Sequence, residues 1–185
     1  MTFIETKWTP LVGYGSHSDA VGGVDVRVRG TEPDTLLFQY VLRAEMPRIR
    51  VPSAVSPTRA DNLWKHTCFE AFIAVTGVPG YHELNFSPSR RWALYTFSAY
   101  REGMSPTNVT VPPALELRSF DDRLELDAAI RLPELVDPPA GRTLKLALTT
   151  VIEDDSGTLS YWALKHAPGK PDFHHPDGFV LELTP

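Results

Sequence analysis

The chain has 185 residues, 42% of them hydrophobic and 22% charged, and a formal net charge of −5. This length suits one domain, residues 1–185, with a sizeable core of its own. The negative charge disfavours nucleic acid as a partner, because binding phosphates requires a concentrated basic face. The single cysteine excludes an internal disulfide framework.

No stretch of the sequence approaches the roughly 18 consecutive apolar residues that a membrane-spanning helix needs. The N-terminal residues also lack the apolar segment of a secretion signal. We therefore expect no membrane partner and a cytoplasmic location. The 17 prolines are spread along the chain and leave little room for long helices.

The first predicted elements are two strands, residues 24–29 and 36–43, in which apolar and polar side chains alternate. They predict a β-hairpin. The proline-marked residues 46–61 that follow predict a long loop, and long loops in compact domains often line binding sites.

Residues 64–75 then change from a polar, aromatic loop into an alternating strand. Phe69, Ala71, Ile73 and Val75 share one parity and are all apolar, so we expect them to face a core. The alternate side chains point the other way, and Glu70 is the one charged residue among them.

A second strand at residues 81–87 is expected to pair with this one. If the turn at residues 77–80 centres the hairpin, Glu70 lies opposite Ser87. This register separates Glu70 from Glu83 by roughly 13 Å along the strand direction.

A third strand, residues 92–100, follows after a short loop. A two-residue loop places Trp92 on the same face as Glu70, with the alternate residues in the core. A three-residue loop exchanges the two faces. On the first alternative the core residues are Ala93, Tyr95 and Phe97.

The second half of the chain also consists of short alternating segments separated by turns. Further strands are predicted at residues 115–118, 124–130, 143–152, 159–164 and 179–183. Roughly nine or ten strands without helical segments between them predict an all-β fold, an antiparallel β-sandwich of the jelly-roll type.

Aromatic rings lie beside short polar side chains in several of these segments. Such pairs are typical of sugar sites, because CH groups of the sugar pack on the ring and its hydroxyls take hydrogen bonds. The candidates for stacking are Trp64, Trp92 and Trp162. The candidates for hydrogen bonding are His66, Glu70, Glu83, Asn85 and His166.

The sequence offers candidates for three other kinds of site: a metal site, a haem site and a catalytic pair of carboxyl groups. The adjacent His174 and His175 point apart in extended chain, so no metal ligands are assigned. Non-covalent haem is a possible cofactor, with Met46 or Met104 and a histidine as axial ligands. The predicted distance between Glu70 and Glu83 exceeds the limit of about 9.5 Å for glycosidase carboxyl pairs, so no catalytic residue is assigned. Other acids that could still partner either glutamate are Asp61, Asp127 and Asp172. A purely structural interaction module is the remaining alternative.

Four motifs carry a family resemblance: residues 59–73, 81–89, 160–164 and 170–174. With them the chain resembles the bacterial DOMON-like domain proteins over about residues 24–183. That group is similar to family 9 carbohydrate-binding modules and to cytochrome-type DOMON domains, all of them β-sandwiches.

The resemblance implies a ligand-binding sandwich with sugar or haem as the ligand class. Its motif residues match Trp64, Glu70, Glu83 and Asn85 in this sequence. We therefore predict a non-catalytic domain that binds a small, carbohydrate-like ligand. Haem binding and a relationship to glycoside hydrolases are the alternatives.

Overall fold

A computed structural model describes residues 5–15, 17–32, 34–135 and 142–184. The predicted domain boundaries at residues 1 and 185 lie outside these ranges. The strands, in chain order, are β1 (Thr9–Pro10), β2 (Val12–Gly13), β3 (Val21–Glu32), β4 (Thr35–Ala44), β5 (Thr58–Arg59), β6 (Cys68–Val75), β7 (Tyr81–Phe86), β8 (Arg91–Phe97), β9 (Ser105–Pro106), β10 (Ala114–Ser119), β11 (Arg123–Arg131), β12 (Leu144–Glu153), β13 (Leu159–Ala163) and β14 (Leu181–Leu183).

Short 3-10 turns lie at Met46–Arg48, Leu63–Lys65, Leu132–Glu134 and Pro176–Gly178. In the part of the chain that the structure describes, no helix has the length and apolar character to cross a bilayer.

The strands form two sheets. The small sheet has the order β1-β3-β4-β11-β10 and is antiparallel throughout. The large sheet has the order β2-β13-β12-β6-β7-β8-β5, with β14 beside β12 and β9 beside β8. Its pairs are antiparallel apart from the short parallel contact of β5 with β8. The predicted all-β, antiparallel sandwich of the jelly-roll type is confirmed.

The main core lies between the two sheets and draws apolar side chains from both. Phe69, Ala71 and Ile73 of β6 are fully buried in it, as their alternation predicts. The small sheet contributes Phe38 and Tyr40 from β4. The Tyr40 hydroxyl donates a 2.7 Å hydrogen bond to the Glu70 carbonyl oxygen, which ties the sheets together.

The predicted register between β6 and β7 is wrong by two residues. Glu70 lies opposite Asn85, and Phe72 lies opposite Glu83. The turn is centred one residue earlier than expected, and the Val78 N–H bonds back to the Val75 carbonyl oxygen at 3.0 Å. A shift of two keeps every side chain on its predicted face. It brings Glu70 and Glu83 to diagonal positions about 7–8 Å apart, so the predicted 13 Å separation is wrong.

The face predicted for Trp92 from a two-residue loop is also wrong. Trp92 lies opposite Phe86, and Ser87 pairs with Arg91 around a three-residue loop. Arg90 in this loop has a φ of 68°, the left-handed conformation that such loops use. Trp92 therefore enters the core between the sheets, whereas Tyr95 and its alternate neighbours face outward with Glu70.

Candidate functional site

The outer face of the large sheet, which points away from the sandwich core, carries a second apolar cluster. Its buried members are Phe72, Tyr81, Ala93, Tyr95, Phe97 and Ala147. Phe173 and Phe179 from the chain after β13 pack on top of them. We call residues 170–180 the C-terminal cover. An apolar sheet face needs such a cover, because leaving it in water forfeits the free energy of burial.

The C-terminal cover does not close over the whole face. A cleft of about 990 Å³ remains beside it, within the usual size range of small-ligand sites. Its lining residues come from the sheet, from the loops at either end of it and from the cover: Asp61, Asn62, Trp64, Glu70, Glu83, Tyr95, Phe97, Arg101, Met104, Pro106, Val151, Tyr161, Lys170, Pro171, Phe173 and His174.

Glu70 lies at the floor of the cleft and is only 2% exposed. Its Oε2 accepts a long 3.4 Å hydrogen bond from the Thr149 hydroxyl. Its Oε1 is buried and accepts no hydrogen bond from any described residue. Burial, and then the charge of Glu83, hold the pKa of Glu70 well above its usual range. Glu70 is therefore a buried acid whose hydrogen-bonding capacity is only partly used.

Glu83 is the second acid of the floor. The amide of Asn85 donates a 2.7 Å hydrogen bond to its Oε1. Its Oε2 lies 3.8 Å from Nε2 of His174. Burial raises the pKa of Glu83, although Asn85 and the charge of Arg101 act in the opposite direction. Asn85 is itself fully buried, so it positions Glu83 from beneath and does not line the cleft.

His174 joins the C-terminal cover to the floor. Its Nδ1 lies 2.8 Å from the Tyr81 hydroxyl, and its ring packs edge-on against Phe72 and Phe97. Burial, and then the charge of Arg101, lower the pKa of His174 to about 4. The imidazole is therefore neutral at pH 7, when it adds no positive charge to the acids beneath it.

Asp172 anchors the C-terminal cover to the loop that follows β8. One of its oxygens accepts a 2.7 Å bond from the Arg101 guanidinium, and the other accepts one from the Tyr100 hydroxyl. The same carboxylate accepts the His174 N–H at 3.1 Å. These contacts fix one wall of the cleft.

The opposite wall comes from the loop before β6. Trp64 is 48% exposed and presents its ring beside the cleft. Asp61 accepts a 2.5 Å bond from the Tyr95 hydroxyl and a 2.8 Å bond from Arg59. The bond from Tyr95, and then that from Arg59, lower the pKa of Asp61. The wall thus offers a half-exposed aromatic ring, with the Lys65 ammonium 5.5 Å from its centroid, next to a held carboxylate.

Two of the predicted stacking residues lie elsewhere. Trp92 and Trp162 are 7% and 5% exposed and belong to the core between the sheets. The ring of Trp162 packs edge-on against His17, 4.5 Å between centroids. Both are on the inner face because Trp92 pairs with Phe86 and Trp162 pairs with Thr150. Of the three tryptophans, Trp64 is therefore the one in position to stack on a ligand in the cleft.

The two predicted histidines lie outside the cleft lining. Nδ1 of His66 lies 2.6 Å from Oε2 of Glu153. Glu153 ends β12, two residues after the cleft residue Val151. Nε2 of His166 lies 2.7 Å from the Val12 carbonyl oxygen. Whether either histidine contacts a ligand stays a prediction.

The described residues hold no group of three or more His, Cys, Asp or Glu side chains that could bind a metal ion. Haem binding stays a prediction. Of the two methionines considered as axial ligands, Met46 packs against the core between the sheets, whereas Met104 lines the cleft. The two nitrogens of His174 face Tyr81 and Glu83.

Several cleft residues were not predicted as site residues, among them Tyr95, Arg101, Lys170 and His174. For Tyr95 the sequence held a usable signal, because the three-residue loop alternative places it on the face of Glu70. Residues 170–174 of the cover carry part of the family resemblance, but no local pattern could place them over β7, since Tyr81 and His174 are 93 positions apart.

No protein-family model and no curated protein sequence matches the chain. Among solved structures, it is similar to a proposed carbohydrate-binding protein from Bacteroides uniformis, with a TM-score of 0.69 and 18% identity over 96% of this chain and 85% of that one. It is also similar to a family 9 carbohydrate-binding module from Caldicellulosiruptor kristjanssonii in complex with cellotriose, with a TM-score of 0.53 and 12% identity over 88% and 74% of the two chains. At these identities the likeness establishes a shared β-sandwich fold.

Proposed function

We propose that the chain is a non-catalytic binding protein for a small, carbohydrate-like ligand, which it holds in the cleft on the outer face of the large sheet. The observation that carries this proposal is that the half-exposed ring of Trp64 and the buried acids of the floor line the same cleft. A sugar needs both, one for its CH face and one for its hydroxyls.

The rest of the cleft supports the same ligand class. Its walls are mostly apolar or aromatic, and its polar groups are few and held in place by neighbours such as Asn85 and Arg59. Fixed polar groups bind with less loss of side-chain freedom than mobile ones. The names of the two structural neighbours, one a carbohydrate-binding protein by proposal and one a module bound to cellotriose, agree with it.

The test is a thermal-shift screen of the purified protein with mono-, di- and trisaccharides, cellotriose among them, followed by calorimetry of any hit. A ligand that binds the native state raises the melting temperature. Haem is included in the same screen. A Soret band after reconstitution would identify haem as the ligand. A panel in which no sugar raises the melting temperature contradicts the proposal.

Two tryptophan variants place the ligand. Trp64→Ala should weaken binding roughly two- to tenfold, because a stacked aromatic ring contributes about 0.5–1.5 kcal/mol. Trp8→Ala is the matched control, since Trp8 is 43% exposed and stacks instead with Arg27 of the small sheet. Equal losses in both variants would place the ligand elsewhere.

Glycoside hydrolysis is the second candidate. It is favoured by the diagonal placement of Glu70 and Glu83 in one cleft, which removes the distance objection. The test is release of nitrophenol from aryl glycosides. Turnover that Glu83→Gln abolishes would replace the binding proposal with an enzymatic one, whereas binding without turnover supports the binding protein.

A further inference from the structure

The charged groups of the cleft are not equally well compensated. Asp61 is paired with Arg59, and Asp172 of the C-terminal cover is paired with Arg101. Glu83 has the Asn85 amide and the nearby charge of Arg101. Glu70 has the 3.4 Å contact from Thr149 on one oxygen, while its other oxygen accepts no bond within the described chain. The deepest acid is thus the least satisfied.

Arg101 and Lys170 line the same cleft, but no positive group of the described residues pairs with Glu70. The charged group that shifts the pKa of Glu70 is Glu83 of β7. Glu70 in turn raises the pKa of Cys68 on its own strand and of Tyr40 on the small sheet. The neighbouring strand β12 offers the uncharged Thr149. The nearest histidine of the C-terminal cover, His174, faces Glu83.

This arrangement distinguishes between ligand groups. A buried polar atom without a partner costs free energy, and a hydroxyl from a neutral sugar would supply the missing hydrogen bond. A neutral hydroxyl would still leave Glu70 and Glu83 as two buried acids side by side. A protonated amine supplies a stronger, charge-assisted hydrogen bond and also offsets the repulsion between Glu70 and Glu83.

From this geometry we infer that the ligand carries a protonated amine, which it places against the carboxyl group of Glu70 at the cleft floor, so that the cleft selects amino sugars over neutral and N-acetylated ones. The inference rests on the proposed sugar-binding function and specifies its ligand class. In the empty cleft, burial and Glu83 favour the protonated form of Glu70. Binding of the amine therefore expels a proton from the protein.

The experiment compares three trisaccharides that differ chiefly in the group on carbon 2: cellotriose, the fully deacetylated chitosan trimer and its N-acetylated form. Calorimetry is done at about pH 5.5, roughly two units below the α-amino pKa of about 7.7–8.0 and also below the lower pKa of a sugar amine, so that the amine is charged. We expect the chitosan trimer to bind at least about tenfold more tightly than cellotriose. Repeating the titration in buffers of different ionisation enthalpy should show net proton release.

Glu70→Gln should reduce the ratio of the two affinities to near one, because the amide cannot take the negative charge. Glu116→Gln on the small sheet, at a 71% exposed side chain, is the matched control and should keep the ratio. A chitosan trimer that binds no better than cellotriose overturns this inference and leaves the proposed function standing. If none of the three trimers and no other sugar binds, both are overturned. A preference for the amine that survives in Glu70→Gln, or binding without proton release, also overturns the inference.

Discussion

The outer faces of the two sheets differ in how they satisfy their side chains. On the small sheet, Arg118 bonds to Glu125 at 3.1 Å and to Asp127 at 3.0 Å, and Gln39 donates to Asp127 at 3.1 Å. This ladder of polar pairs runs from strand to strand. On the large sheet, Phe72 occupies an equivalent outward position and is fully buried beneath the C-terminal cover.

Both faces have the same alternation of inward and outward residues, so the residue types at the outward positions make the difference. On the small sheet, charged side chains pair with side chains on adjacent strands and remain exposed to water. Such a face needs no covering segment. Aromatic residues need one, and the gap left beside it becomes a cleft in which acids are desolvated. The pKa of Glu125 is lowered by Arg123 and then Arg118, whereas the pKa of Glu70 is raised by burial and then Glu83.

The largest expected difference between the faces is in stability. Phe72→Ala should lower the free energy of unfolding by about 3–5 kcal/mol, because it empties the centre of the second apolar cluster. Leu37→Ala, at a half-buried outward position of β4, should cost less than about 1 kcal/mol. Urea denaturation measures both. Similar losses would mean that the C-terminal cover buries little in solution.

The two glutamates should give pH effects of opposite sign. Folding raises the pKa of Glu70, so the folded chain keeps its proton at pH values where the unfolded chain has lost it. The contribution of Glu70 to the free energy of unfolding is therefore fully present below about pH 4.3 and is lost as the pH rises through the raised pKa. For Glu125, with a lowered pKa, the stability is present above about pH 4.3 and is lost as the pH falls through that pKa.

At pH 7, Glu70→Gln should therefore be more stable than the wild type and Glu125→Gln less stable. Each unit of pKa difference is worth about 1.4 kcal/mol. The difference for Glu70→Gln should shrink as the pH falls toward about 4, whereas the difference for Glu125→Gln should shrink mainly below about pH 4, as measured by denaturation between about pH 2.5 and about pH 7. Differences of the same sign at pH 7 would contradict the contrast between the faces.

Asp172→Asn should loosen the C-terminal cover by about 1–2 kcal/mol, because it removes the charge that Arg101 and Tyr100 bind. Faster amide exchange at Gly178, which bonds to the His175 carbonyl oxygen, would report this opening. Asp177→Asn is the control in the same segment, since its carboxylate is 52% exposed. Equal exchange in both variants would show that Asp172 does not hold the cover.

The smallest effect is expected for the exposed pair of Glu116 and Arg118, 3.2 Å apart on β10. Glu116→Gln should change the free energy of unfolding by less than about 0.5 kcal/mol, because an ion pair in water gains little. Thermal unfolding checks this. A loss above about 1 kcal/mol would mean that the ladder acts as one cooperative network.

The strand faces of β6 could be predicted from the sequence because parity is a local property of alternating residues. The register could not. It depends on Gly80, where an added Cβ would lie 2.1 Å from the Phe97 carbonyl oxygen, a contact made by another strand. Of the predicted ligand residues, Trp64, Glu70 and Glu83 line the cleft, Asn85 supports its floor, and Trp92 and Trp162 fill the core.

The sequence by itself determined the β-sandwich and the presence of Glu70 on an outward face, because alternation, turn residues and composition act over a few neighbouring positions. The tertiary structure decided which face is covered, how far Glu70 lies from Glu83 and that no cation reaches Glu70 within the described residues. These features depend on the C-terminal cover folding back over strands about ninety residues earlier, as the bond between Tyr81 and His174 records, and no local pattern encodes such a contact.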